Sequence, residues 1–254
     1  DIQRRQFKRL GVFGDWENPY LTLDPKYEAE IIRAFAIFVE KGLVYQSKKP
    51  VYWSTGAQTA LAEAEVEYTE REDPAIYAKF KLVDDAVKKL KEAFTDIPDG
   101  ISLVIWTTTP WTLPANVAIA VDPKELYSAG EFLDEKRGIT HHLIVARRLL
   151  GNFIKDTEFR YEREYGTSFH GAQLVGMLAL HPFLGRTSRV IPADFVTMDT
   201  GSGQVHIAPG HGKDDYIASQ QQVPKLEVLS PVDDYGKFTD EVGMPQWVGK
   251  YVFD

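Results

Sequence analysis

The chain has 254 residues, 44% of them apolar, which is enough for one large or two modest domains with packed cores. Its formal charge of −8 excludes a protein held to nucleic acid by a bulk basic surface, so any such contact must be local. The absence of cysteine excludes disulfides, thiolate nucleophiles and cysteine-ligated zinc, and no apolar run approaches the ~18 residues that cross a bilayer, so no membrane partner is expected.

The sequence starts at Asp1 without Met, lacks a signal-peptide core in DIQRRQFKRL, and stops on YVFD inside what reads as an element. It is therefore expected to be a piece of a longer chain. The first strong element is a helix, with Asp24 as N-cap, Pro25 as its first residue, YEAEIIRAFAIFVEK as its body and Gly42 as its stop. Tyr27, Ile31, Phe35 and Phe38 share one face, which predicts packing on a neighbour. From Lys49 the texture changes to short alternating or apolar stretches cut by Gly, Pro and Asp. Strands are predicted at VEYTE (66–70), AIYAKFKLV (75–83), SLVIWT (102–107), VAIAV (117–121), HLIVA (142–146) and GQVHIA (203–208). Helices are predicted at DDAVKKLKEAF (84–94), acidic first and lysine-rich later as the helix dipole favours, and just after His211. DEKR (134–137) reads as a solvated hairpin tip. The fold class is α+β and β-rich with flanking helices, and closing the sheet into a barrel would dispose of its edges.

Two stretches concentrate chemistry. In TTTPWTLPAN (107–116), consecutive threonines must point to both faces of a strand, and each buried hydroxyl needs a partner. They either cap local backbone around a turn set by Pro110 and Pro114, or offer rigid hydroxyls to a water or a substrate beside Trp111. DTGSGQVHIAPGHGKDDY (199–216) holds the densest ionisable cluster, with Asp214 and Asp215 in the first turn of a helix. Those carboxylates either cap the helix or serve a site. A dinucleotide fingerprint from Gly201 fails at His206, and a P-loop ending at Gly212-Lys213 fails at Ile207 and Asp214. Ser202 is not in a G-x-S-x-G elbow. A metal site of His206, His211 and Asp214 or Asp215 is chemically open, though its spacing matches no common zinc pattern. His141, His142, His170 and His181 read as structural histidines.

Taken together, TTTPWTLPAN and GSGQVHIAPGHGKDDY resemble the editing domain of the isoleucyl-tRNA synthetases, a β-barrel inserted in the nucleotide-binding fold of a class I enzyme. The likeness extends over GDWENPYLT (14–22), KPVYWS (49–54) and ALAEAEVEY (60–68). Valyl and leucyl relatives look like TTRPE or TTRPD at the threonines, whereas Pro110 and Trp111 follow here. Ser202 stands where the family usually has threonine and keeps the hydroxyl.

The resemblance implies an arm over residues 1–48 leading from a catalytic domain and an editing barrel over 49–254. It implies hydrolysis of the ester of valine with tRNA(Ile), with isoleucine excluded by size. Asp215 would then pair with the α-ammonium group and His206 would border the side chain. Thr107, Thr108, Thr109 and Asn116 would hold the water and ribose hydroxyls, with Trp111, Thr112, Gly210 and His211 lining the pocket. No metal or cofactor would serve this reaction, since ATP and Mg²⁺ belong to a synthetic site whose H-x-G-H and KMSKS signatures are absent from these 254 residues. The implied partners are the tRNA(Ile) acceptor end carrying valine and the rest of a monomeric, cytoplasmic parent chain, with an organellar location left open. A binding module without turnover and a metal-dependent hydrolase are the competing readings.

Overall fold

The structure is a computed structural model that describes residues 1–94 and 96–254. The chain divides into two compact units, Asp1–Ser47 and Lys48–Asp254. The first unit carries two helices, α1 (Ile2–Arg9) and α2 (Pro25–Glu40). Asp24 caps α2 as expected, its carboxylate accepting from the Lys26 N–H at 2.9 Å, and Gly42 takes the left-handed conformation at φ +67° just past the end. The apolar face does not meet the expected neighbour: Ile31, Phe35 and Phe38 are each more than half exposed.

The second unit runs β1 (Trp53–Ser54), β2 (Thr59–Ala60), β3 (Ile76–Lys81), α3 (Asp84–Ala93), β4 (Ser102–Thr107), β5 (Ala118–Val121), β6 (Leu126–Asp134), β7 (Ile139–Ala146), α4 (Leu150–Thr157), β8 (Arg160–Glu164), β9 (Phe169–His170), β10 (Leu178–Leu180), β11 (Thr187–Pro192), β12 (Gln204–Ile207) and α5 (Lys213–Gln220). Five of the six predicted strands form. VEYTE does not, because alternation alone supplies no partner: Tyr68 is exposed and the segment follows a short 3₁₀ turn at Glu63–Glu65. The DEKR tip is the β6–β7 hairpin connection, where Asp134 accepts from the Arg137 N–H at 3.1 Å.

The β-rich α+β class holds, and the long strands form two sheets. One is ordered β3-β4-β7-β6-β8, with β9 pairing the start of β6; the other is β10-β11-β5-β12, with β11 parallel to β5. Both edges of the four-stranded sheet are tied to the six-stranded one, which removes exposed edges as a barrel does. At one edge, Leu82 bridges Ala179 and the Val83 N–H donates to Leu178 O at 3.0 Å. The main core fills the space between them, with Phe80, Leu103, Ile105, Ile119 and Tyr127 fully buried, each worth about 1.5–3 kcal/mol of transfer free energy.

The other edge is closed by a side chain. β4 and β7 pair in parallel only at Ser102–Leu143 and Leu103–Ile144. Just beyond, the buried amide of Gln204 replaces the missing rung: Oε1 accepts from the Val104 N–H at 3.2 Å and Nε2 donates to Ile144 O at 2.6 Å. Ser202 Oγ donates to Val104 O, and the Ala146 N–H donates to Ser202 O at 2.9 Å. Gly203 is needed between them, because at φ +75° an added Cβ would lie 2.3 Å from Ala146 Cβ. Leaving a buried backbone N–H and C=O unpaired costs about 1–3 kcal/mol each. Gln204→Leu is therefore expected to lower the urea midpoint by the equivalent of about 2–5 kcal/mol; an unchanged midpoint would contradict the rung.

Candidate functional site

β4 ends at Thr107, and the chain then tightens into a 3₁₀ turn over Pro110–Ala115, since Pro110 and Pro114 fix φ and donate no hydrogen bond. Thr107 Oγ1 accepts from the Thr109 N–H at 3.0 Å and lies 3.3 Å from Thr109 Oγ1. Thr112 Oγ1 donates its only hydrogen to Thr109 O at 2.8 Å, so the contact at 3.0 Å to His206 Nε2 must have the imidazole N–H as donor. His206 is thereby set as the Nε2–H tautomer, and its buried Nδ1 has no partner among the described residues. Burial, then repulsion from His211 and His181, pushes its pKa down to about 4, so it is neutral at physiological pH. Thr108 and Thr109 are exposed.

The second stretch meets this turn through β12. After His206, the chain turns at Ala208–Gly212 and starts α5. Asp215 lies in its first turn, and Oδ2 accepts from the Ala208 N–H at 2.9 Å. Gly212 makes room for that carboxylate: its backbone suits any residue, but an added Cβ would lie 2.7 Å from Asp215 Cγ. Burial raises the Asp215 pKa to about 6 against the lowering effect of the Ala208 N–H, and Asp214 adds repulsion. The Trp111 and His211 rings meet edge to face at 5.0 Å, with Trp111 Nε1 and His211 Nε2 buried and unpartnered among the described residues. Burial pushes His211 down to about 4.

The two stretches thus touch directly at Thr112–His206 and Trp111–His211. A cleft of about 840 Å³, lined by Thr108, Pro110, Trp111, Trp247, Tyr251 and Phe253 among others, reaches the threonine turn but not His206 or Asp215. No group of three or more His, Asp or Glu side chains among the described residues is arranged to hold a metal ion.

Sequence comparison shows the family of the chain. The model of the tRNA synthetases class I (I, L, M and V) matches residues 1–228. The chain belongs to the class I tRNA synthetases. It is 49% identical, over 96% of its length and 24% of the relative's, to an isoleucine–tRNA ligase of Fervidobacterium pennivorans. It is 46% identical, over its whole length and 25% of the relative's, to that of Thermotoga maritima. It therefore spans about a quarter of the length of these curated relatives. Among solved structures, the editing domain of the P. knowlesi cytosolic leucyl-tRNA synthetase has a TM-score of 0.46 at 15% identity, over 59% of this chain and 63% of that one.

Two residues of this class I chain sit where the resemblance did not lead one to expect. Asn116 is fully buried and its amide is committed, Nδ2 donating to Ala118 O at 2.8 Å and Oδ1 accepting from Ser188 Oγ at 2.5 Å. Fully buried, it supports the turn from behind through these two bonds. Gly210 serves a backbone crossing, since a Cβ there would lie 2.0 Å from Leu229 O. Missed from the sequence were the supports of the turn: His181 Nε2 donates to Leu113 O at 2.9 Å and Arg186 donates to Pro114 O. Only the string HPFLGRTS (181–188) marks them, and no spacing rule singles it out.

Two measurements test the site. Nitrogen-15 NMR is expected to find His206 neutral at pH 5.5 with the proton on Nε2; a charged ring or the other tautomer would contradict the Thr112 contact. For Asp215, the folded pKa of about 6 lies above the unfolded value, so the folded state holds the proton more tightly. Stability due to this group is greatest below about pH 4 and falls as pH rises through 6. Asp215→Asn is expected to stabilise the chain at pH 8 by on the order of 1–3 kcal/mol, with the gap closing by pH 4.

Proposed function

We propose that this segment is the editing domain of an isoleucine–tRNA ligase and hydrolyses the ester of valine with tRNA(Ile). Asp215 carries the reading. It is a largely buried carboxylate with no Lys or Arg partner among the described ion pairs, and burial raises the cost of its charge, a cost that a bound cation would offset. An α-ammonium group supplies that cation and nothing larger than an amino acid is needed to bring it. Support also comes from 44–49% identity to isoleucine–tRNA ligases across nearly the whole chain.

An aminoacyl ester is already activated, so positioning a water and stabilising the developing oxyanion suffice, without a protein nucleophile, metal or cofactor. The accessible hydroxyls of Thr108 and Thr109, with Thr107 behind them, hold the water and the ribose hydroxyls; the leaving group is the ribose oxygen, which takes a proton from the attacking water. Neutral His206 borders the amino-acid side chain and acts as a wall, being too weak a base when buried to serve as an acid near pH 7. Trp111, Thr112 and His211 complete the lining, with Asn116 and Gly210 holding its backbone.

The chemical need is selectivity. A missing methylene changes binding by only ~1–3 kcal/mol, a general figure for which isoleucine's own synthetase is the standard example and not a value obtained on this chain. A second pocket that excludes isoleucine by steric clash can therefore remove valine that the synthetic site accepted. The parent would attach isoleucine to tRNA(Ile) with ATP in the cytoplasm, as a monomer, and supply most of the tRNA affinity, which suits a segment of charge −8.

The test is deacylation by the full-length parent chain. Valyl-tRNA(Ile) is expected to be cleaved and isoleucyl-tRNA(Ile) spared, and Asp215→Ala is expected to slow the valyl reaction by about 10–100-fold through loss of a charged contact. Tight binding of the acceptor end with valyl ester lost only at the background rate would leave a docking module instead.

A further inference from the structure

The threonine turn is held from behind by one hairpin. Three side chains of the β10–β11 hairpin grip three sites of the segment that follows Thr112: His181 on Leu113 O, Arg186 on Pro114 O and Ser188 on the Asn116 amide. Each bond is directional. His181 Nδ1 accepts from the Phe183 N–H at 3.4 Å and the Leu184 N–H at 3.2 Å, so Nε2 must carry the hydrogen that reaches Leu113 O. Its ring is clamped edge to face by Phe183 at 4.6 Å and Phe80 at 5.7 Å. Burial lowers its pKa to about 4, which keeps this arrangement neutral at physiological pH.

The turn needs such support. Proline fixes φ but leaves ψ free, and without N–H groups Pro110 and Pro114 add nothing to an internal ladder. The hairpin itself is anchored, because β11 runs parallel to β5 with Arg189 opposite Ala118, the strand into which the turn leads. Among the described residues, His181, Arg186 and Ser188 make no hydrogen bond to Thr112, His206 or Asp215. His181 and Arg186 act on the backbone that follows Thr112, and Ser188 acts on the Asn116 side chain.

We infer that the β10–β11 hairpin is the size gauge of the pocket: His181, Arg186 and Ser188 are positioning residues that fix Leu113–Asn116 and, through it, the Thr112–His206 wall that rejects the larger side chain. This rests on the editing reading above. A wall that discriminates one methylene must be held to a fraction of an ångström, and its supports should govern selectivity more than rate.

The experiment uses the full-length parent with His181→Ala, Arg186→Ala or Arg186→Lys, and single-turnover deacylation of valyl-tRNA(Ile) and isoleucyl-tRNA(Ile). The quantity read is the ratio of the two rate constants, from which the folded fraction cancels. Both alanine variants are expected to narrow that ratio by about tenfold, chiefly through faster loss of isoleucine. Arg186→Lys, which keeps one donor for Pro114 O, is expected to recover most of the selectivity. If His181→Ala does not fold, the half-buried Arg186 carries the test. A ratio within about twofold of wild type in the alanine variants overturns the inference, whatever the absolute rates. Wild-type parent that leaves the valyl ester at its background rate is a distinct result and removes the editing reading together with this one.

Discussion

The fold turns on one side-chain amide. Where β4 and β7 part, Gln204 stands in for a strand, offering an acceptor to one backbone and a donor to the other. Neither a hydroxyl nor a carboxylate has both groups at that spacing. Two sheets that would otherwise present open edges are closed here, and Ser202 and Gly203 add contacts to Val104, Ala146 and Tyr127 from the same three residues.

That closure also builds the site. His206 lies two residues beyond Gln204 and on β12, so the seam that joins the sheets delivers its imidazole to Thr112. Asp215 follows after one tight turn and leans on the Ala208 N–H. Position and electrostatics therefore come from the same backbone: burial at this junction keeps His206 and His211 neutral and raises the pKa of Asp215.

The local structure of the two stretches was legible because its signals lie in contiguous residues. TTTPWTLPAN and GSGQVHIAPGHGKDDY carry their turn, strand and helix signals in order, and the structure brings them together at two contacts. What depended on distant partners was not legible. His181 looks like any structural histidine until Leu113, 68 residues away, is seen to need its N–H. β6 and β8 went unread because LYSAGEFLD and RYERE mix small, charged and aromatic residues, and Gly130 looks like a break. In the folded sheet it makes room for Tyr161, whose ring would lie 2.5 Å from a Cβ there. VEYTE had the right alternation and no strand to meet, so period two by itself was insufficient.

Gly212 has a consequence of another kind. At φ −117° its backbone would admit any residue, so folding does not protect this codon. The space above its Cα is occupied by the Asp215 carboxylate, the movable end of a side chain, so an added methyl displaces the carboxylate and leaves the fold standing. Such a change escapes cellular quality control, which removes what unfolds. On the editing function proposed above, the protein would persist with a blunted anchor, and the damage would be distributed as errors in other proteins.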